Sequence, residues 1–151
     1  MIPMKERKYP EIPLSEFAFQ TYDKVRYADT DRQGHVNDAV FSTYLETARV
    51  EFLMDPMKSL TDSGCVFVIA GIQMDLLQQI FWPGIVDIGL SVTRIGTSSV
   101  TFSQAIFQSG KAVARAETVV VQLEGATGKS HPLSEQLRDK LQAFFRSPTA
   151  E

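Results

Sequence analysis

Residues 25–40 read Val25-Arg-Tyr-Ala-Asp29-Thr-Asp31-Arg-Gln-Gly34-His35-Val-Asn37-Asp38-Ala-Val40, placing carboxylates and an imidazole just ahead of an apolar periodic segment. A carboxylate can draw a proton from water or attack a carbonyl carbon. Gly34 permits a close backbone turn. A helix start adds N–H groups without intrahelical acceptors and a partial positive charge, which can hold the oxyanion of ester or thioester hydrolysis. The donors would be the amides of Asn37, Asp38 and Ala39. The same residue types are also common turn and cap formers, so these residues alone leave a purely structural turn open beside the catalytic reading.

Other reactive residues offer less. Cys65 is the only cysteine. It cannot form an intrachain disulfide, which fits a reducing compartment, and it reads as a small buried hydrophobe rather than a nucleophile. The two histidines, His35 and His131, have no recognised ligand spacing, and no metal or cofactor is expected. Gly125-Ala-Thr-Gly128-Lys129-Ser130 fails as a phosphate loop because Leu123 stands where its first glycine belongs. Glu46 and Arg49, at i and i+3, read as an ion pair on a helix. Trp82 reads as cover for an apolar patch, and Lys129 and His131 as solvated.

The elements that must position Asp31 follow from periodicity. Over residues 38–54, Phe41, Leu45, Ala48 and Phe52 form a helical stripe, widened by Val40, Tyr44 and Leu53. Asn37 or Asp38 is the expected N-cap and Pro56 the stop. Ahead of the reactive segment, residues 17–28 predict a strand with Phe17, Phe19, Val25 and Tyr27 inward. Behind the helix the period becomes two. Ile72, Met74 and Leu76 alternate with polar residues, as do Val86, Ile88, Leu90 and Val92. Two more strands follow over 98–107 and 111–123, with Gln108-Ser-Gly110 as a hairpin turn between them. Ser134 caps a short second helix with the stripe Leu137, Leu141, Phe144 and Phe145. The predicted class is α+β: one long buried helix wrapped by a curved antiparallel sheet whose successive strands are joined by tight turns, plus a short C-terminal helix.

With 151 residues the chain has the size of one domain. Residues 1–16, with three prolines, predict an N-terminal arm, 17–146 a single domain, and 147–151 a tail. A net charge of −3 gives no basic footprint, so no nucleic-acid partner is expected. The polar N-terminus carries no signal-type apolar stretch, and the longest strongly apolar run, 66–71, is far short of a membrane span. A soluble, cytoplasmic protein without a membrane partner is the expectation.

The segment from Arg26 to Val40, followed by Tyr44-Leu-Glu46-Thr-Ala-Arg49-Val-Glu-Phe-Leu53 and Arg94-Ile-Gly-Thr-Ser98-Ser99-Val100, resembles the 4-hydroxybenzoyl-CoA thioesterase-like branch of the hotdog superfamily. It looks most similar to the acyl-CoA thioesterases of that branch, which carry Asp-x-Asp-x-x-Gly-His-Val-Asn before the central helix. The likeness spans roughly residues 20–125 in the same order of elements. It implies hydrolysis of an acyl-CoA, with Asp31 as catalytic nucleophile or general base and the Asp38 backbone amide as oxyanion donor. It also implies His35 and Asn37 lining the site or holding its loop. Asp29 would be a supporting or turn-forming residue. Two departures stand out. Asp38 replaces a frequent asparagine, and the basic cluster that holds CoA phosphates in some members is absent from residues 95–99, leaving Arg94, backbone amides, the hydroxyls of Ser98 and Ser99, or a neighbouring subunit for that task.

The resemblance further implies a homodimer or homotetramer with the site between subunits. The acyl chain would pass Phe41, Tyr44, Leu45 and Phe67. Two other readings compete: a non-catalytic acyl-CoA-binding hotdog protein, and a hotdog hydratase or dehydratase using His35.

Overall fold

The computed structural model describes residues 12–147. The remainder of the expected arm and tail lies outside the described residues. Seven elements follow in the order β1 (Phe19–Val25), α1 (Asp38–Leu53), β2 (Cys65–Leu76), β3 (Gly84–Ile95), β4 (Ser99–Gln108), β5 (Lys111–Glu124) and α2 (Glu135–Gln142). The strands form one antiparallel sheet in the order β1-β3-β4-β5-β2. The expected architecture, a long helix held in a curved antiparallel sheet, is present.

The helix owes its stability to burial. An isolated segment of this length is marginal in water, but Phe41, Tyr44, Leu45, Ala48, Phe52 and Leu53 are all buried on one side of α1. Each large apolar side chain so buried contributes roughly 1.5–3 kcal/mol. Asn37 is the N-cap and accepts from the Ala39 N–H at 3.0 Å. At the other end Met54 leaves helical geometry just before Asp55 and Pro56. Val86, Ile88, Leu90 and Val92 of β3 are fully buried, as their alternation predicts. At the joint of β4 and β5, Ser109 and Gly110 have φ of 52° and 78°, the two positive values of a type I′ hairpin.

One joint differs from expectation. No tight turn links β2 to β3: β2 pairs with β5 on the far edge, and residues 77–83 cross the end of the sheet to reach β3. Buried Leu77 and Ile80 anchor this crossing, and the Leu77 and Gln78 N–H groups both donate to the Val113 carbonyl. Tyr27 also departs from the sequence reading. It sits in a 3-10 turn (Tyr27–Asp29) after β1 ends and is exposed, in an edge-on contact with Trp82. Trp82 itself is half-exposed beside that ring rather than covering a buried patch.

Two surfaces of the sheet are closed by neighbouring segments. On the convex side Phe17 packs edge-on against Phe107, over Gly89, where an added Cβ would lie 2.4 Å from the Phe17 ring. At the open end, the Ser134 hydroxyl accepts from the Leu137 N–H to start α2, and Leu137, Leu141 and Phe144 pack with Phe52 and Val92. Among the described residues nothing covers the concave side of β2, because α1 packs chiefly on β1, β3 and β4. Ile69 and Ile72 lie opposite Val120 and Thr118, which are buried, so they share the inward face. They are nonetheless 49% and 43% exposed.

Candidate active site

The loop between β1 and α1 is a miniature hairpin. Thr30 and Val36 form an antiparallel bridge, the Asn37 N–H donates to the Asp29 carbonyl at 2.9 Å, and the Asp31 N–H donates to the His35 carbonyl at 2.9 Å. The Gly34 N–H closes the turn on the Asp31 carbonyl, and Gly34 has φ of 89°, a conformation that costs other residues strain. The base of the hairpin is tied to the crossing segment by the Val36 N–H, which donates to the Ile80 carbonyl.

Within this frame the two carboxylates have different tasks. Asp29 Oδ2 accepts from the Arg26 N–H at 2.9 Å and from the Tyr44 hydroxyl at 2.8 Å, so it is a turn-holding group. Tyr44, expected along the acyl path, is fully buried beneath the loop. Burial first, and the Asp29 carboxylate second, hold its phenol well above its ordinary pKa. It therefore remains a proton donor to Asp29. Asp31 is partly open, with 29% of its side chain exposed. Its Oδ1 accepts from the Gln33 N–H at 2.8 Å, while Oδ2 has no hydrogen-bond donor among the described residues. His35 Nδ1 lies 3.9 Å from that free oxygen and 3.4 Å from the Val36 carbonyl.

The helix start supplies the second component. In the first turn, the Ala39 N–H is taken by the Asn37 side chain and the Val40 N–H by the Asn37 carbonyl. Asp38 is the first helical residue, and its N–H has no acceptor among the described residues. One free carboxylate oxygen on a braced loop and one unpaired N–H at a helix N-terminus can deprotonate water or attack a carbonyl, and can stabilise the resulting oxyanion.

Arg94, Ser98 and Ser99 are not brought to this loop within one chain. β1 leaves the sheet where Val25 pairs with Gly84, at the start of β3, whereas Arg94 lies at the far end of that strand. Ten residues of strand separate them by roughly 30 Å. Arg94 is exposed there, and Ser98 and Ser99 are half-buried in the adjoining turn. Nor do Arg49 and Glu46 form an ion pair among the described residues, although the Glu46 charge acts on the guanidinium. The arginine turns inward, is 6% exposed, and donates from Nη1 to Gln104 Oε1 at 3.1 Å. A helical spacing of three allows an ion pair but does not say which of the two residues the sheet will cover. Cys65, expected in the core, is half-buried at the start of the edge strand, and desolvation, with Asp62 and Glu124 adding to it, raises its thiol pKa. No group of three or more potential metal ligands occurs among the described residues. No helix among them is long and apolar enough to cross a membrane.

A central helix wrapped by a five-stranded antiparallel sheet, with a carboxylate hairpin at the helix N-terminus, defines a hotdog-fold protein. Residues 25–141 match the sequence model of the thioesterase-like superfamily, and the chain belongs to that family of thioester hydrolases. A thioesterase from Thermus thermophilus, solved in complex with coenzyme A and Zn, is 31% identical, with 85% of this chain and 94% of that one covered and a TM-score of 0.73. A predicted thioesterase from Bacillus stearothermophilus is 27% identical over 86% of this chain and 98% of its own, with a TM-score of 0.78. A protein of Aquifex aeolicus, named for an inferred esterase activity, is 29% identical over 98 residues, 63% of this chain and 77% of its own length.

Proposed function

We propose that the chain hydrolyses acyl-CoA thioesters at Asp31, with the Asp38 N–H receiving the carbonyl oxygen as it becomes an oxyanion. The observation that carries this reading is the pairing of an unshared Asp31 Oδ2 with an unshared Asp38 N–H on one braced loop and helix start. Asp31 acts as general base on water or as the nucleophile itself. As general base, Asp31 takes a proton from the water whose oxygen forms the new C–O bond while the C–S bond breaks. As nucleophile, it forms an acyl-aspartyl anhydride as the C–S bond breaks, and water then cleaves that anhydride. In both routes the acid and the protonated thiol are the products. His35 and Asn37 hold the loop and border the reacting carbonyl. The complex of the Thermus thermophilus relative with coenzyme A supports CoA as the carrier.

The second half of the site comes from a partner copy in this reading. The open edge and half-exposed inward face of β2 are what a second β2 would cover. Antiparallel pairing about a two-fold axis sets the Leu76 end of one β2 beside the Cys65 end of the other. The Leu76 end leads into the segment that carries Ile80, which is bonded to the Asp31 loop. The Cys65 end shares its edge of the sheet with Ile95 and Ser99. The dimer therefore carries the partner subunit's Arg94, Ser98 and Ser99 toward Asp31, where they supply the CoA contacts a single chain lacks.

Thiol release from acyl-CoAs of graded chain length and from an aromatic acyl-CoA tests the proposal. Turnover with a clear optimum is expected. A chain that binds these thioesters and releases no thiol would instead be the non-catalytic binder.

A further inference from the structure

The last residues of β3 gather arginines from three stretches of chain. Arg94 stands exposed on the strand itself. Two residues on, Gly96 holds a tight turn in which its N–H donates to the Ser99 carbonyl at 2.8 Å. Arg138, half-buried on α2, reaches this turn and donates from Nη1 to the Gly96 carbonyl at 2.7 Å. Beyond α2 the chain runs beside β3: Phe145 bridges to Val92, and the Arg146 N–H donates to the Val92 carbonyl at 2.8 Å. The Arg146 side chain folds back, and its Nη1 donates to the Phe145 carbonyl at 2.8 Å. Between these segments lies a cavity of about 350 Å³, lined by Ile95, Arg138, Asp139, Gln142 and Phe145. In the sheet, β4 and β5 stand between it and the β2 edge. A guanidinium carries five N–H donors. Arg138 and Arg146 each have one assigned acceptor, a backbone carbonyl, and no ion pair among the described residues includes either of them or Arg94. Asp139 is the only carboxylate in the lining, and it is exposed. Three cations gathered around one carboxylate repel one another, and an anion at their centre relieves that repulsion.

We propose that this notch is a phosphate site in which Arg138 and Arg146, with Arg94 at the rim, hold the 3′-phosphate of CoA. The identity of the ligand rests on the acyl-CoA reading above. A phosphate monoester carries about two negative charges at neutral pH and three acceptor oxygens, which suits two tethered guanidinium forks. In the dimer along β2, Ser98 and Ser99 approach the partner subunit's Asp31. A thioester reacting there trails its nucleotide away from the carbonyl by the length of the pantetheine arm, and the notch lies across that same turn. The basic residues missing from 95–99 are thus supplied by α2 and the segment after it, far away in sequence.

Calorimetric titration of the full chain with CoA and with dephospho-CoA isolates one group, because the two ligands differ only in the 3′-phosphate. CoA is expected to bind about tenfold more tightly. Arg138→Gln is expected to erase that difference by weakening CoA alone. A merely structural arginine that steadies the Gly96 turn would, when replaced, weaken both ligands alike. Should Arg138→Gln fail to fold, Arg146→Gln leaves the bond to Gly96 in place and is expected to narrow the difference. Equal binding of the two ligands by the wild type, binding of neither, parallel weakening of both in Arg138→Gln, or a preference that survives both substitutions overturns the proposal. Thiol release on the same preparations keeps this site and the hydrolase reading apart. Acyl-CoA hydrolysis without discrimination by the 3′-phosphate leaves the hydrolase and removes the site. A CoA preference that the substitutions abolish, with no acyl-CoA hydrolysed, leaves the site and removes the hydrolase.

Discussion

At the residue scale, the loop separates two aspartates that look interchangeable in the sequence. Asp29 is saturated by a backbone N–H and the Tyr44 hydroxyl, and Asp31 keeps one oxygen free. In the proposed reaction Tyr44 would act through Asp29 as a positioning residue. Replacing Tyr44 with Phe deletes one hydrogen bond and leaves the ring in place. The expected loss is about 1 kcal/mol of stability, read from urea denaturation. A fall in kcat without a matching rise in KM should accompany it, because a loosened hairpin misplaces Asp31 rather than weakening substrate contacts. Unchanged stability and kcat would show that the Asp29–Tyr44 bond does not brace the loop.

Elements were legible in the sequence wherever one face alone is buried. The stripe of α1 and the alternation of β3 map directly onto buried positions, and both helix caps fall at the residues their types predict. What pairs with what was not legible. Period-two alternation is the same whether a strand neighbours its predecessor or crosses to the opposite edge, so the β2–β3 crossing had no signal. Tyr44 and Asp29 are fifteen residues apart, and Arg49 and Gln104 fifty-five. Such contacts depend on how the sheet curls over the helix, which local pattern does not encode. The clamp between the β2 approach and α2 is another example. Asp62 accepts from the Ser134 N–H and hydroxyl and from Gln122 Nε2. Desolvation pushes its pKa up, but these donors outweigh it, and the net shift is downward. A carboxylate with a depressed folded-state pKa adds stability that is complete above its unfolded value, about 4, and is lost as pH falls through the lower folded value. Asp62→Asn should therefore be less stable than wild type at pH 7 by about 1 kcal/mol, discounted for solvent exposure, and the gap should narrow below about pH 4. Thermal melts across pH 3–7 check this, and a gap independent of pH would refute the clamp.

At the scale of the whole molecule, the proposed acyl-CoA reaction calls for groups that one chain holds far apart. The unshared Asp31 oxygen and the Asp38 N–H stand at one end of the sheet, and Arg94, Ser98 and Ser99 at the other. The proposed self-association along β2 would answer both this separation and the exposed Ile69 and Ile72. An inward-pointing charge on an edge strand blocks such pairing. Ile72→Lys should elute as a monomer in light-scattering chromatography, keep its far-UV circular dichroism, and lose most thioester hydrolysis. A variant that remains dimeric and active would place the interface elsewhere.

The measurement closest to the central claim compares wild type with Asp31→Asn on the best acyl-CoA of the panel, following thiol release at matched concentration and confirmed folding. The substitution keeps the side-chain shape and the oxygen that accepts from the Gln33 N–H, and removes the charge. A loss of about 10²–10⁴-fold in kcat, with KM little changed, is the result this account predicts. Turnover within a few-fold of wild type would contradict it and move the reacting carboxylate to another residue.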